Sequence, residues 1–245
     1  MVDKKKGLTD AKLSYCPGCT HGIAHKLVAQ ALEEMGEVEN TIGVVPVGCS
    51  VMAYKFFNMD TQVAAHGRAC AVATGIKRVR PDNIVFTYQG DGDLTSIGFN
   101  ETVHAANRGE NITVIFINNG NFGMTGGQMS PCTLIGQKQT TCPQGRDPKI
   151  HGYPLHAAEI IKELKGACYV ERVMLTDPAN VNKAKLAIKK GLQYQKEGKG
   201  FSFIEVLSTC PVNWGKKPLD AIARVKDEVA KEYPLGVFKD IGGAK

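Results

Sequence analysis

Five segments of the chain are apolar almost without interruption and rich in β-branched residues. They span residues 41–47, 83–88, 111–118, 167–173 and 201–207. Strands of a parallel sheet have this pattern because helices cover both faces, whereas strands with one solvated face alternate apolar and polar residues. We therefore predict five parallel β-strands.

Helical patterns alternate with these strands and cover residues 21–35, 96–108, 177–196 and 218–233. The first stops at Gly36, and the third begins with Asp177 and Pro178, a capping residue followed by a proline. Alternation of this kind predicts an α/β fold, a single-domain doubly wound, mainly parallel sheet with helices on both faces. We expect the domain to span residues 15–238, between tails at 1–14 and 239–245.

One segment departs from the alternation. From Gly120 to Pro154 the chain is rich in Gly, Thr, Gln and Pro and has neither helical nor strand periodicity. An unstructured loop of this length inside a compact domain is usually functional. We therefore expect the segment to form part of a binding site.

Composition narrows the classes of function. The net charge is +6, without a long basic run interleaved with aromatic residues, so we expect no nucleic-acid partner. No apolar run reaches about 18 residues and the N-terminus lacks an apolar core segment, so we expect no membrane span, no secretory signal and a cytoplasmic location. A mildly basic surface favours an acidic redox partner. Eight cysteines in such a protein indicate metal or redox chemistry rather than disulfides.

Two polar motifs follow neighbouring strands. Gly90-Asp91-Gly92-Asp93 comes after the second predicted strand, and Asn118-Asn119 ends the third. Carboxyl ends of parallel strands meet at one sheet edge, where ligands of such folds bind. Carboxylate, amide and carbonyl oxygens suit Mg²⁺ shared with a diphosphate, and glycines allow close approach of the backbone. The Asp-Gly pair alone would indicate only a turn, but the two motifs together are more specific.

The two motifs match the thiamine diphosphate-binding motif. Together with CPGC at Cys16–Cys19 and GMTGGQ at Gly123–Gln128, they make the chain resemble the thiamine diphosphate-binding, β-type subunit of 2-oxoacid:ferredoxin oxidoreductases, from about Tyr15 to Phe238. The resemblance implies that Asp91, the Asn119 side chain and the Asn121 backbone carbonyl hold Mg²⁺. The thiamine diphosphate contacts that it implies are Gly18, His21, Gly48, Ser50, His66, Gly90, Gly92, Asp93, Gly123, Met124 and Thr125.

The cysteines allow several interpretations, one of which is that all eight are inert core residues. A thioredoxin-like dithiol needs only Cys16 and Cys19 and leaves Cys49 and Cys210 unexplained, whereas a structural Cys₄ zinc site fits all four. The resemblance implies instead that these four hold a [4Fe–4S] cluster, which needs four thiolates. The remaining cysteines are expected to be inert; they are Cys70, Cys132, Cys142 and Cys168.

Histidines are expected in two kinds of place. The resemblance puts His21 near the diphosphate, and a helix beginning after His66-Gly67-Arg68 suits an anion. The other four are expected on helix or loop surfaces; they are His25, His104, His151 and His156.

The resemblance implies an activity and its partners. A 2-oxoacid is decarboxylated oxidatively, coenzyme A takes the acyl group, and ferredoxin takes the electrons. A pyrimidine-domain (α-type) partner subunit supplies the catalytic glutamate, and γ- or δ-type subunits are possible. Activity is expected only with that partner.

Substrate preference is the finest of these expectations. Met124 stands where pyruvate-using relatives have asparagine, and its apolar side chain favours a branched-chain acid such as 2-oxoisovalerate. The alternatives are 2-oxoglutarate, with Arg68 or Arg146 at its second carboxylate, a non-redox thiamine diphosphate decarboxylase subunit, and a Cys₄ zinc-binding structural domain.

Overall fold

The structure, a computed structural model, describes residues 6–242 and contains a seven-stranded sheet. Strands lie in the order β2-β1-β3-β4-β6-β5-β7, all parallel except β7, which runs antiparallel to β5. In chain order they are β1 (Thr41–Pro46), β2 (Asp60–Ala64), β3 (Ile84–Gly90), β4 (Thr113–Asn118), β5 (Ala167–Met174), β6 (Phe201–Leu207) and β7 (Gly236–Asp240).

Helices cover both faces of this sheet, as the alternating pattern predicts. They are α1 (His21–Met35), α2 (Ala69–Val79), α3 (Phe99–Arg108), α4 (Pro148–His151), α5 (Ala157–Lys162), α6 (Pro178–Lys196), α7 (Pro218–Arg224) and α8 (Ala230–Glu232). Apolar residues of α1 and α6 form the core on one face, and those of α2, α3, α5 and the α7–α8 segment form the core on the other. Among residues 6–242, no helix has the length and apolarity needed to cross a membrane.

Helix boundaries follow the local signals in the sequence. Gly36 ends α1 with a left-handed backbone, φ 72°, which a residue without Cβ adopts at no steric cost. Asp177 begins α6 by accepting a hydrogen bond from the Asn180 amide, with Pro178 in the first turn. The predicted single helix over 96–108 instead comprises a π-helical turn, Gly92–Ile97, followed by α3.

The two edge strands were not predicted from the sequence. β2 is polar and mostly exposed, so it lacks the continuous apolar pattern of the central strands. β7 has only five residues and extends the sheet to Asp240, inside the segment predicted to be a C-terminal tail from residue 239. At the other end, within the predicted tail 1–14, the Gly7 amide donates to the Glu33 carboxylate at 2.7 Å.

The strand order creates a crevice at one edge of the sheet. After β1 the chain turns to β2 on one side, and after β3 it turns to β4 on the other, so the two loops diverge. Such a switch point between neighbouring parallel strands is where open α/β sheets bind ligands. Residues 47–50 follow β1 and residues 91–93 follow β3, which places both loops at this crevice.

A buried ionic network joins β4, β6 and β5 beside the crevice. Arg172 on β5 is 1% exposed and donates to Glu205 on β6 at 2.8 Å and to Glu159 at 2.8 Å. Glu205 also accepts from the Asn118 side chain at 2.8 Å. The side-chain amide of Asn118 therefore binds inside the sheet, whereas Asn119 lines the crevice.

His25 corrects one expectation from the sequence, because it is fully buried rather than at a helix surface. Its ring lies 4.8 Å from the Tyr88 ring and 5.0 Å from the Phe57 ring, and its Nδ1 has no hydrogen-bond partner among residues 6–242. Burial lowers the pKa of His25 well below its usual 6.5, and neighbouring His21 adds to this.

This burial makes a prediction about acid stability. The unfolded chain takes up a proton at His25 below pH 6.5 and the folded chain does not, so the stability falls as the pH drops through that value. The free energy of unfolding should fall when the pH is lowered from 7.5 to 5.5. We expect this fall to be about 1 kcal/mol smaller in His25→Phe than in the natural protein. Urea unfolding at both pH values measures this difference, with exposed His104→Phe as control. An equal loss in the natural protein and in His25→Phe would contradict it.

Candidate functional site

A cleft of about 520 Å³ occupies the crevice between the ends of β1 and β3. The cleft contains all of the predicted magnesium ligands, Cys49, and every predicted cofactor residue except Gly18. Its lining is His21, Val47, Gly48, Cys49, Ser50, His66, Gly90, Asp91, Gly92, Asp93, Asn119, Asn121, Phe122, Gly123, Met124 and Thr125.

Asp91 is the most strongly perturbed acid in this cleft. Burial raises the pKa of its carboxyl to about 7, against hydrogen bonds from the Ser130 hydroxyl and the Asn119 and Gly92 amides. Within residues 6–242, no lysine, arginine or histidine forms an ion pair with it. A buried carboxylate without a cation is unfavourable, so a bound metal ion would stabilise the ionised form.

The Asn119–Asn121 turn brings amide oxygens to the same place. The Asn121 amide N–H lies 3.3 Å from Asn119 Oδ1, and the Asn121 side chain donates to the Asn119 carbonyl at 3.1 Å. Asn213 donates to Asn121 Oδ1 at 3.2 Å and holds this turn to the segment after β6. The donor set of Asp91, Asn119 and Asn121 consists of hard oxygens and therefore fits Mg²⁺.

Two glycines leave space for a ligand. A Cβ at Gly90 or at Gly48 would meet no atom within 4 Å, and Gly48 has φ 113°, a conformation that favours glycine. Gly92 has a different role, since its Cβ would lie 2.4 Å from the Phe122 ring. Open space above the backbone amides at Gly48 and Gly90 fits an approaching diphosphate.

Asp93 orients His66 at the rim of the cleft. Its buried carboxylate lies 2.6 Å from His66 Nδ1, and it accepts from the Gly67 amide at 2.6 Å and from Gln89 at 2.7 Å. Since these partners engage both oxygens of Asp93, the residue acts as a positioning group. The His66 ring is partly exposed and lines the cleft.

His21 forms the opposite wall. Burial lowers its pKa to about 4, and its Nδ1 lies 2.7 Å from the Tyr88 hydroxyl. The Tyr15 ring stacks on it at 4.8 Å, and the Tyr15 hydroxyl donates to the Cys49 carbonyl at 3.0 Å. His21 is therefore a neutral, fixed imidazole in the cleft lining.

Four cysteines are neighbours beside the cleft. Burial raises the pKa of Cys19 to about 12, and the nearby sulfurs of Cys210, Cys49 and Cys16 add to the shift. Gly123 lies against two of them, since its Cβ would be 3.1 Å from Cys49 Sγ and 3.7 Å from Cys210 Sγ.

Burial disfavours the charged thiolate form of these cysteines, so a bound metal ion would favour their ionisation. Burial raises the pKa of Cys49 to about 11 and also raises that of Cys210. Metals bind the thiolate, so metal binding and deprotonation of these residues are coupled. In residues 6–242, no three His, Cys, Asp or Glu side chains are gathered as a preformed site for one metal ion. An amide of Asn213, 3.4 Å from Cys210 Sγ, is the kind of donor that surrounds iron–sulfur clusters.

The other cysteines lie away from this group. All four are buried, consistent with the inert role expected of them; they are Cys70, Cys132, Cys142 and Cys168.

The long loop after β4 closes the site. It contributes Phe122 to Thr125 to the cleft lining and Ser130 to the Asp91 carboxylate. Arg146 holds the loop together by donating to backbone carbonyls of Pro131, Thr133 and Tyr153, at 2.8, 2.7 and 2.6 Å.

Some residues differ from the sequence-based expectations. Gly18 lies outside the cleft lining and packs against Pro218. Ser130, Val47 and Phe122 were missed: Ser130 is 39 positions from Asp91 and belongs to no motif, while the other two flank predicted residues. Arg146 is enclosed by backbone carbonyls, and Arg68, about half exposed, pairs with Glu101; neither residue is part of the cleft lining.

Comparison with known proteins identifies relatives along nearly the whole chain. Residues 46–206 match the thiamine pyrophosphate enzyme, C-terminal TPP binding domain. The ketoisovalerate oxidoreductase subunit VorA of Methanothermobacter thermautotrophicus is 49% identical over 98% of this chain and 50% of its own length. The 2-oxoglutarate synthase subunit KorB of Methanocaldococcus jannaschii is 40% identical over 87% of this chain and 77% of its own.

A solved structure shares the fold. It is the 2-oxoglutarate:ferredoxin oxidoreductase from Magnetococcus marinus with 2-oxoglutarate, coenzyme A and succinyl-CoA bound. The match has a TM-score of 0.80 and 25% identity, and covers 97% of this chain and 84% of that one. This chain spans about half the length of the VorA subunits that it matches.

The unpaired carboxylate makes a prediction about ligand binding. Asp91→Asn keeps the shape of the side chain but removes its charge. Loss of an outer-shell partner alone costs about 10–100-fold in metal affinity, so we expect thiamine diphosphate with Mg²⁺ to bind at least about 100-fold more weakly. Calorimetry on the assembled complex measures this effect, with exposed Asp60→Asn as control. Unchanged affinity in Asp91→Asn would contradict the role of the carboxylate.

Proposed function

The chain belongs to the thiamine diphosphate-binding β-type subunits of the 2-oxoacid:ferredoxin oxidoreductases, and on this premise we propose the reaction that it serves. The reaction is oxidative decarboxylation of a 2-oxoacid to acyl-CoA and CO₂, with electrons passed to ferredoxin. The observation that carries the proposal is one cleft that combines Asp91, Asn119 and Asn121 with Cys49, beside three further cysteines. Thiamine diphosphate supplies the carbanion that attacks the keto carbon and the electron sink for decarboxylation.

The residues divide the work of binding. Asp91, the Asn119 side chain and the Asn121 carbonyl would hold Mg²⁺, and open backbone at Gly48 and Gly90 would receive the diphosphate. Ser50, Thr125 and the two cleft histidines are the remaining polar groups available to orient the cofactor. The buried lining formed by Asp91, His21 and Ser50 excludes water from one side of the bound cofactor.

Cys16, Cys19, Cys49 and Cys210 would hold a [4Fe–4S] cluster. A Cys₄ zinc site has the same ligand count, but zinc has no redox role beside thiamine, whereas a cluster accepts the electrons of the reaction. A non-redox thiamine decarboxylase subunit would need no cysteine quartet at all. Cys49 and Asp91 line the same cleft, and this proximity supports the redox assignment.

The favoured substrate is a branched-chain 2-oxoacid, 2-oxoisovalerate. Met124 lines the cleft with an apolar side chain, and the VorA relatives, 49% identical to this chain, are named for ketoisovalerate. A 2-oxoglutarate enzyme is the alternative, since the KorB relative is 40% identical. Of the two arginines considered for its second carboxylate, Arg146 is enclosed by backbone carbonyls and Arg68 pairs with Glu101, and neither lines the cleft.

The reaction needs further chains and substrates. The proposed partner is a pyrimidine-domain (α-type) subunit that supplies the catalytic glutamate, with γ- or δ-type subunits as possible additions. Coenzyme A is the proposed acyl acceptor, and it is bound in the solved Magnetococcus marinus relative.

The cluster assignment predicts the iron content of variants. Cys210→Ala removes one of the four proposed ligands and should lower iron below the roughly four atoms per chain that a [4Fe–4S] cluster requires. Cys16→Ala, Cys19→Ala and Cys49→Ala should do the same. Cys168→Ala is the matched control, because this buried thiol lies in β5 and outside the quartet. The iron content per chain is measured after anaerobic purification. Full iron content in Cys210→Ala would refute the assignment of Cys210 as the fourth cluster ligand.

The substrate assignment predicts relative rates. One well-packed methylene in an apolar pocket is worth about 1–3 kcal/mol. We therefore expect 2-oxoisovalerate to exceed pyruvate in kcat/KM by at least about tenfold, and Met124→Asn to reduce that ratio. Initial rates of the assembled complex with a viologen dye measure both. A preference for pyruvate would overturn the Met124 argument, and a preference for 2-oxoglutarate would establish the alternative.

A further inference from the structure

The cysteine quartet extends from the cleft to the protein surface. Cys49 lines the cleft, and Cys19 and Cys210 are partly buried. Cys16 is exposed, as is Pro17 beside it. A cluster held by these residues would therefore have one side toward the cofactor and the other toward solvent.

A second segment packs beside Cys16 and completes this outer surface. A Cβ at Gly18 would lie 2.5 Å from the Pro218 Cβ, so the CPGC turn contacts the first residue of α7. The chain between Cys210 and Pro218 is a compact turn, with the Trp214 amide donating to the Cys210 carbonyl at 3.0 Å and the Lys216 amide to the Pro211 carbonyl at 3.0 Å. We call the resulting surface the Cys16 face, formed by Cys16, Pro17, Val212, Lys216, Lys217 and Leu219.

The Cys16 face has the composition of a docking surface. Val212 is 62% exposed and Leu219 79% exposed. Lys216 and Lys217 are exposed, and neither forms an ion pair with any residue between 6 and 242. Asp220 is the nearest carboxylate along the chain and is outnumbered by the two lysines. Exposed apolar side chains together with two lysines that form no ion pair among the described residues suit an acidic protein partner.

We propose that the Cys16 face is the docking surface for an acidic ferredoxin-type iron–sulfur protein, which takes electrons from the cluster on the side of Cys16. This inference rests on the proposed function. A 2-oxoacid anion, coenzyme A and two oxidised ferredoxin clusters give acyl-CoA, CO₂, one proton and two singly reduced ferredoxin clusters. Breaking the bond to the carboxylate leaves an electron pair on the substrate-derived group, and the cluster that the quartet would hold would pass this pair on as two single electrons. The net charge of +6 supports attraction over longer range.

The test compares binding and electron transfer in charge variants of the assembled complex. Lys216→Glu/Lys217→Glu reverses the two cations of the Cys16 face. The matched control is Lys165→Glu/Lys231→Glu, which makes the same charge change at two exposed lysines without ion pairs among the described residues. Lys165 precedes β5 at the opposite sheet edge, and Lys231 lies about 20 Å along the helical segment from Pro218.

The probe is an oxidised, acidic 2[4Fe–4S] ferredoxin, and the primary measurement is its Kd at low and raised salt. We expect Lys216→Glu/Lys217→Glu to raise the Kd at least about tenfold and to weaken its salt dependence. The control variant should bind as the natural complex does. Reduction of a small viologen dye should be unchanged in both variants, because a small acceptor does not need this surface.

The outcomes separate this inference from the proposed function. A Kd within about twofold of the natural complex in Lys216→Glu/Lys217→Glu would overturn the docking surface, even with full dye reduction. Crosslinking of Lys216 to a permanent subunit would overturn it as well, because the face would then be covered. Absence of 2-oxoacid-dependent dye reduction in the natural, iron-loaded complex would refute the proposed function itself.

Discussion

A fully buried carboxylate without a cationic partner among residues 6–242 is the feature on which the site depends. Asp91 sits where β3 ends, and burial raises its pKa to about 7. The surrounding amides and the Ser130 hydroxyl orient this carboxylate but do not neutralise it. A metal ion would supply the missing charge, and a metal-bound diphosphate would in turn bring a cofactor to the same edge of the sheet.

The parallel sheet explains why a cofactor site and a cysteine group adjoin. β1, β3, β4 and β6 are consecutive neighbours and all end at one edge. Cys49 follows β1, Asp91 follows β3, Asn119 follows β4, and Cys210 comes soon after β6. The Arg172–Glu205–Asn118 network stabilises this arrangement, because it joins β5, β6 and β4 next to the site.

Much of this arrangement was predictable, because the relevant residues lie at the ends of strongly apolar strands. The parallel sheet, its five central strands and the approach of Asp91 to Asn119 all follow from that pattern and one topological rule. Local sequence carries no signal for contacts made by distant residues. Ser130 contacts Asp91 only because the long loop folds back onto the cleft. Arg146 binds backbone carbonyls, and no sequence motif predicts that contact. His25 is buried because aromatic rings pack around it. Edge strands β2 and β7 escaped prediction because solvent covers much of them and the apolar run disappears.

In the proposed function, one chain holds Mg²⁺–thiamine diphosphate and a four-iron cluster side by side. Anomalous diffraction from crystals of the anaerobic complex, recorded on both sides of the iron absorption edge, locates both groups. We expect an iron peak bounded by Cys16, Cys19, Cys49 and Cys210, with diphosphate density and a light metal at Asp91 and Asn119. A zinc peak between the cysteines, or an iron peak elsewhere with the quartet empty, would contradict it.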